Sequence, residues 1–535
     1  MTLLRSSLIV GSNTLLSRVL GYVRDILIAR ALGTTGVVEA FVVAFRFPNL
    51  FRRLVAEGAF SAAFVPVYAK KLEKDGKVPA LRFAENIMAW LILILAVFTA
   101  LAEIFMEAII TVIAPGFREQ AALFDATVLF TRLTMPYLLA ITVVALMSGV
   151  LNANYKFAMA AAAPALLNGI MILALVFAVS WFKDAGHALA WSVAVAGIAQ
   201  YLWLGYACWK AGLRLALPAP HFTTAAKRLL KLMGPGIIGG GMTQINILVG
   251  TIIASFIAGA VSILYFADRL YQFPLSMIGV AIGTALLPEL SRKVHSEPAA
   301  AMAVQNRAVE LSMLLTLPAA AALVVVAEPI CIVMFQYGKF TLEDARDTAL
   351  ALAVFSGGLP AYVLIRVFSP GFYAREDTRS PVIYAVISMV TNIVLSVALV
   401  WPPFGLAGLG FLGIAIATVV AAWINAALLG AVLVRRGHWR LDQRLKSRLP
   451  RLLLAALLMG AALIPLALWL APWFDGSTFK RVLALGILVA AGMLLYAALC
   501  LAMKAGSVAE LRELLRRRRG SKEDDKGPPP PPSFD

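Results

Sequence analysis

The chain has 535 residues, 61% of them hydrophobic and 14% charged, with a mean hydropathy of +0.85 and a formal net charge of +18. Apolar runs of about 20 residues recur from one end to the other, each long enough to cross a bilayer, and the period-two alternation of barrel strands is not seen. This excludes a water-soluble globular protein and a β-barrel, and predicts an all-α polytopic membrane protein. The positive charge does not argue for nucleic acid, because the basic residues lie mostly in short loops between apolar runs, the pattern that sets orientation in a membrane.

The first helix covers about residues 5–32. Its opening weakly imitates a signal peptide, but Ser12, Asn13 and Arg18 interrupt the apolar run and no cleavage site follows, so a retained helix is expected. Ser7, Gly11, Thr14, Arg18, Gly21 and Asp25 recur at spacings of four and three, which puts small and polar groups on one stripe. Arg18 and Asp25 nearly eclipse and can pair, while Arg24 lies about 120° round from Arg18 unless a bend at Gly21 brings it in. A packing seam with one internal ion pair fits this stripe. A cavity-facing stripe fits better, because two arginines exceed what one aspartate neutralises.

The second helix, about 37–68, carries Glu39 near its start and RFPNLFRRLVAEGAFSAAFVP from Arg46 to Pro66. Pro48 is expected to break the helix ahead of Arg52, Arg53 and Glu57. Charge at membrane depth costs about 2.5–3.5 kcal/mol per residue on insertion scales, so it persists where it faces water or a partner. Arg52 and Arg53 also fit a helix end whose arginines reach the headgroups. Further helices are expected at about 84–112, 122–150, 158–181 and 187–212.

A second set of six begins near Leu229, at about 229–257, 262–289, 306–336, 345–372, 380–401 and 406–434, and two more helices follow at about 449–471 and 479–503. The total is about 14 spans. Both termini then lie in the cytoplasm and every basic loop falls on that side. The last two helices carry no charge between Leu452 and Leu470 or between Leu483 and Met503, so the residues alone predict plain lipid-facing packing. Past Lys504, Val508, Leu511, Leu514 and Leu515 share one side of a short helix ahead of Arg516 to Arg519, a surface helix for anionic headgroups. The tail DDKGPPPPPSFD is expected to be disordered or polyproline II.

The two sets echo each other. RFP at Arg46–Pro48 and QFP at Gln272–Pro274 each fall in the second helix of a set, followed by Pro66 and Pro288. Pro164 with Asn168, and Pro381 with Asn392, form a fainter pair. Six helices per half gives both halves one orientation, related by an axis along the membrane normal. Expected divisions are an N-lobe at 1–213, a C-lobe at 214–436, a helix pair at 437–505 and a tail at 506–535.

A site between the halves lined by Arg18, Arg24, Arg52 and Arg269 would be strongly cationic. Asp268 beside Arg269 fits that site or a local ion pair. Arginine keeps its charge and presents a fork suited to phosphate oxygens, so an anionic ligand such as a phosphate or pyrophosphate is expected. Chemistry is not. His187, His221, His295 and His438 are far apart, Cys208, Cys331 and Cys500 have no disulfide or metal spacing, and no HExxH, nucleotide-binding loop or aspartate cluster occurs. A non-enzyme without metal or cofactor is expected. Asn246, Thr391 and Asn392 fit packing hydrogen bonds or a cation site.

Together NLFRRLVAEGAFSAAFVP, SRVLGYVRD, ADRLYQFP, FQYGKFT and SPGFY resemble the MurJ/MviN family of bacterial lipid II flippases. The resemblance implies the multidrug/oligosaccharidyl-lipid/polysaccharide exporter fold of two six-helix lobes in pseudo-twofold arrangement, plus two extra helices. It implies a bacterial inner-membrane protein whose partner is lipid II, the undecaprenyl-pyrophosphate-linked peptidoglycan precursor, moved from the inner to the outer leaflet. It implies essential cavity arginines at Arg18, Arg24, Arg52 and Arg269; Asp25, Glu39, Arg53, Glu57 and Asp268 are expected to support or gate that site. It also makes a lipid-tail groove of the final helix pair. Membrane lipids and cell-wall synthesis proteins are further expected partners. Two positions depart from the family pattern: Glu39 stands where aspartate is common, and Gln272 where an acid is common. The competing readings are a flippase for another undecaprenyl-linked glycan, a drug exporter of the same superfamily, and a scaffold for cell-wall enzymes.

Overall fold

The computed structural model describes residues 3–54, 60–294, 296–401 and 408–505. Glu57, His295 and the tail from 506 to 535, with its expected surface helix and proline run, lie outside the described residues. In chain order the helices are α1 (Leu3–Leu32), α2 (Gly36–Phe51), α3 (Ser61–Asp75), α4 (Lys77–Ile104), α5 (Met106–Ile113), α6 (Ala121–Thr134), α7 (Tyr137–Ala153), α8 (Phe157–Leu173), α9 (Ala185–Lys210) and α10 (Thr224–Ala254). They continue as α11 (Ala260–Lys293), α12 (Pro298–Val325), α13 (Ala327–Phe335), α14 (Leu342–Gly357), α15 (Leu359–Tyr373), α16 (Arg379–Val400), α17 (Gly410–Arg435), α18 (Gln443–Phe474) and α19 (Thr478–Ala502). No strand occurs among the described residues. Ten helical stretches among them are long and apolar enough to cross a membrane. The all-α polytopic class read from the sequence is therefore the class of the structure.

Local chemistry accounts for four of the helix starts. Asp184, Thr223 and Asp442 cap α9, α10 and α18, each accepting a backbone N–H three residues on. Burial alone would push the Asp184 carboxyl up, but the side-chain and amide hydrogen bonds from His187 outweigh it and hold the group below its ordinary value. Ahead of α14, Thr341 N–H donates to Asp344 Oδ2 at 2.8 Å and Asp344 N–H to Thr341 Oγ1 at 3.1 Å, a reciprocal capping box.

Pro48 does not break its helix. It sits inside α2, which runs on to Phe51. Proline strands the carbonyl four residues earlier, here that of Ala44. The Thr134 hydroxyl of α6 donates to that carbonyl at 3.1 Å, so a neighbouring helix supplies what proline withholds.

The chain forms two compact units. The first takes the residues up to Gln272 together with Ile330–Phe355 and Thr378–Asn425. The second takes Phe273–Pro329, Ser356–Asp377 and the described residues from Ala426 onward. In the first unit α1 packs along α8, α2 against α6, and α4 against α7, while α10 packs on α16. In the second, α12 packs on both α15 and α18, and α18 on α19. The α1–α8 and α10–α16 pairings each join the first and fifth helices of an expected set of six. Many outward side chains of α18 and α19 are large and apolar, among them Leu457, Leu468, Trp469, Met493 and Leu494. Such a surface suits hydrocarbon, not water.

In the first unit, the turn after α1 lies backbone to backbone against the connection before α14. Lys339 N–H donates to Arg30 O at 3.0 Å. Gly33 and Gly338 both hold positive φ, +65° and +63°. A Cβ on Gly338 would stand 2.3 Å from Arg30 O, and one on Gly33 2.6 Å from Lys339 O. Thr34 adds a side-chain hydrogen bond to Asp344. Gly338→Ala is expected to lower the melting temperature measurably, since the left-handed backbone alone costs about 1–2 kcal/mol. Gly205→Ala in α9, where a Cβ meets nothing within 4 Å, is expected to be neutral or slightly stabilising. Equal melting curves for the two variants would refute the assignment.

Candidate functional site

The C-terminal half of α1 faces protein, as its stripe predicted, although Gly11 and Thr14 nearer the start are exposed. Arg24 and Asp25 are 6% and 2% exposed. Arg24 folds back along its own helix. Its Nε and Nη2 donate to Asp25 Oδ1 at 3.0 and 2.7 Å, and its Nη1 to Asn168 Oδ1 of α8 at 2.8 Å. Asn168 in turn donates to Ser17 O at 2.9 Å, which locks α1 to α8. The guanidinium on Asp25 Oδ1 is thus that of its sequence neighbour, where the heptad spacing had suggested Arg18. A long side chain can wrap through the angle between adjacent positions, and Asn168 rewards that direction.

The first turns of α11 complete the cluster. Tyr265 donates its hydroxyl to Asp25 Oδ1 at 3.0 Å, with Arg24 Nη2 at 3.5 Å from the same hydroxyl. Arg269, one turn on, lies over the Tyr265 ring at 4.9 Å. Its Nε stands 3.5 Å from Asp25 Oδ2, close enough for charge attraction. That buried Nε makes no hydrogen bond within the protein. Tyr22 donates to the Arg269 carbonyl at 3.2 Å and lies in the electrostatic neighbourhood of Arg18.

Arg46 of α2 donates to Thr251 Oγ1 of α10 at 2.7 Å. Asp268 lies in the electrostatic neighbourhood of Arg269, Arg46 and Arg53, and takes a hydrogen bond from the Gln272 amide. Gln272 therefore acts as a neutral donor to Asp268. Arg52 is held by Asn49 Oδ1 at 2.8 Å on its own helix, and Arg53 is exposed. Glu39 is 3% exposed, and its Oε1 accepts Val261 N–H at 3.1 Å. A carboxylate there satisfies an orphan donor at the N-terminus of α11 and meets the positive end of its dipole.

Asn392 donates to Asn246 Oδ1 at 2.8 Å, Ser396 and Thr418 donate to Asn392 Oδ1 at 3.3 and 3.4 Å, and Thr391 bonds back to Ile387 O at 2.9 Å. These amides form a hydrogen-bonded packing network. No group of three or more His, Cys, Asp or Glu suited to a metal occurs among the described residues.

Around one buried carboxylate, then, stand two guanidinium groups from different helices, one of them with an unused donor. Arg46 and Asp268 add a second layer. Such forks accept phosphoryl oxygens in pairs. Two members of the site, Tyr265 and Thr251, are not marked by charge in the sequence. Tyr265 sits four positions before Arg269, on the same face of the helix, and that spacing was the available signal. Thr251 carried none.

The family model described as "Lipid II flippase MurJ" matches residues 28–484. A probable lipid II flippase MurJ of Rhizobium meliloti is 44% identical over 521 residues, covering 96% of each chain. One from Rhizobium tropici is 42% identical over 503 residues, covering 93% of each. A solved structure titled "Lipid II flippase MurJ, inward closed conformation" superposes with a TM-score of 0.76 at 24% identity, covering 95% of this chain and 100% of that one, a likeness of fold. With the family model matched over most of its length and relatives this similar along nearly all of it, the chain belongs to the MurJ family of lipid II flippases.

Proposed function

We propose that this chain carries lipid II, the undecaprenyl-pyrophosphate-linked peptidoglycan precursor, from the cytoplasmic to the periplasmic leaflet of a bacterial inner membrane. The observation that carries this reading is the Arg24–Asp25–Arg269 cluster, in which the Arg269 Nε, 3.5 Å from Asp25 Oδ2, makes no hydrogen bond. A buried donor left unmet costs free energy, and an anionic headgroup with several acceptors relieves it. Family membership supplies the identity of that anion.

In this reading the protein is a transporter and performs no covalent step. It has 14 spans with both termini cytoplasmic, and lobes at 1–213 and 214–436 alternate access to a cationic cavity. Arg18, Arg24, Arg52 and Arg269 meet the head, and Asp25, Glu39, Arg53, Glu57 and Asp268 support or gate. The helices within 437–505 hold the prenyl tail in lipid, and residues 506–535 lie at the cytoplasmic surface, within reach of anionic lipids and cell-wall synthesis proteins. A sugar-pyrophosphate head cannot cross hydrocarbon unaided. An inside-negative potential favours outward movement of the anionic head by about 2.3 kcal/mol per charge per 100 mV, and draws the empty cationic site back.

The test is depletion of the protein in growing cells with a leaflet-resolved measurement of lipid-linked precursors. Lipid II is expected to accumulate on the cytoplasmic leaflet, and dissipating the potential is expected to slow its translocation. Accumulation of a different undecaprenyl-linked glycan, or of none, would overturn the proposal.

A further inference from the structure

Tyr265 touches every member of the buried cluster. Its hydroxyl donates to Asp25 Oδ1 at 3.0 Å and lies 3.5 Å from Arg24 Nη2, and its ring carries the Arg269 guanidinium at 4.9 Å. It is 7% exposed, on α11, one turn before Arg269. Nothing in this arrangement needs a phenol for packing alone, since phenylalanine would fill the same volume.

The need for the hydroxyl arises when an anion enters. Asp25 Oδ1 takes the Arg24 Nε and Nη2 donors at 3.0 and 2.7 Å, and Asp25 Oδ2 faces Arg269 at 3.5 Å. A pyrophosphate that recruits both arginines strips those contacts from a carboxylate that is 2% exposed. A buried carboxylate without donors, next to an arriving like charge, opposes binding. Of the groups placed on Asp25 here, the Tyr265 hydroxyl alone is neutral. It therefore has no reason to follow the arginines to the anion.

We propose that Tyr265 is a positioning residue that keeps Asp25 hydrogen-bonded while Arg24 and Arg269 transfer from that carboxylate to the pyrophosphate of the cargo. The ring holds Arg269 beside the exchange point by its π face, and the hydroxyl holds Asp25 in place behind it. This rests on the reading of the cluster as a pyrophosphate site, and names the residue that lets the arginines leave their resting partner.

The experiment uses the full chain in detergent at fixed salt, with geranylgeranyl pyrophosphate as the probe and binding read by calorimetry. Tyr265→Phe keeps the ring and is expected to weaken binding about tenfold, the effect of one net hydrogen bond to a charged group. With Asp25→Asn already present, Tyr265→Phe is expected to change affinity less than twofold, because no buried carboxylate remains to be held. A purely packing role predicts the same effect in both backgrounds and would overturn the inference. Tyr68→Phe, which removes another buried hydroxyl, bonded to Asn154 at 3.3 Å, is the control and is expected to leave binding unchanged. A Tyr265→Phe chain that folds only when Asp25→Asn accompanies it supports the pairing. One that fails to fold with either residue at position 25 assigns Tyr265 to packing and refutes it. If the unaltered chain does not bind the probe, the pyrophosphate reading itself falls and takes this inference with it. If it binds and Tyr265→Phe matches it, only the inference fails.

Discussion

Arg24→Ala and Arg269→Ala are each expected to abolish the ability of the protein to support growth in cells depleted of it, with headgroup translocation falling at least about a hundredfold. For Arg24, truncating one member of a buried, hydrogen-bonded charge pair costs about 2–5 kcal/mol, and every 1.4 kcal/mol is a factor of ten; for Arg269, whose side chain is 28% exposed and 3.5 Å from Asp25, the loss expected is that of the charge offered to the anionic head. Here the loss is double, because the variant also leaves Asp25, 2% exposed, with one guanidinium fewer. Arg24→Lys is not expected to rescue. Arg24 spans Asp25 and Asn168 at once with three nitrogens at 3.0, 2.7 and 2.8 Å, and a single ammonium cannot reproduce that fork. Arg132→Ala is the comparison: its nitrogen lies 3.9 Å from Glu107, with side chains 42% and 73% exposed, so a near-silent effect is expected. Growth and translocation at unaltered levels in both cluster variants would remove the physical basis of the transport reading, and tolerance of this kind is what a drug exporter would show.

Glu310→Ala is expected to destabilise the second unit by about 2–3 kcal/mol, seen as a lower melting temperature in detergent. Glu310 of α12 is 5% exposed and gathers three arginines. Arg307 Nη1 lies at 2.8 Å and Arg444 Nε at 3.1 Å from Oε2, and Arg448 bonds Oε1. Two of the three sit at the start of α18, so this one carboxylate ties α18 to α12. The side chains of Arg307 and Arg444 are 37% and 47% exposed. Water therefore shares their charge, and the expected loss lies below the roughly 3–5 kcal/mol of a fully buried pair. Glu310→Gln keeps an acceptor and is expected to lose less. Glu289→Ala removes a surface partner of Lys293 at 3.1 Å, with exposures of 46% and 37%, and is expected to cost less than about 0.5 kcal/mol. A Glu310→Ala chain that melts with the Glu289→Ala chain would refute this account of how α12 and α18 are joined.

Much of this protein is legible before any coordinates. The helix positions follow from apolar run length, and the marked arginines from the cost of charge at that depth. The stripe on α1 pointed its Gly21 and Asp25 end inward, where Gly21 lies against Asn168 and Asp25 meets Tyr265. The pairings were not legible. Pro48 looked like a break because its missing N–H is a local fact, whereas the Thr134 hydroxyl that repairs it comes from 90 residues on in another helix. The role of Glu310 is not visible in the sequence, because its partners Arg444 and Arg448 lie 134 and 138 residues away.

Residue chemistry along the chain is enough to show a bundle of membrane helices with arginines set inside its apolar segments, because hydropathy and the cost of unsolvated charge act residue by residue. That Asp25 is shared between Arg24 and Arg269 and roofed by Tyr265 follows from the packing of α1 against α11 alone. Helical periodicity says which residues share a face, but the neighbour that the face meets is chosen by packing between distant segments.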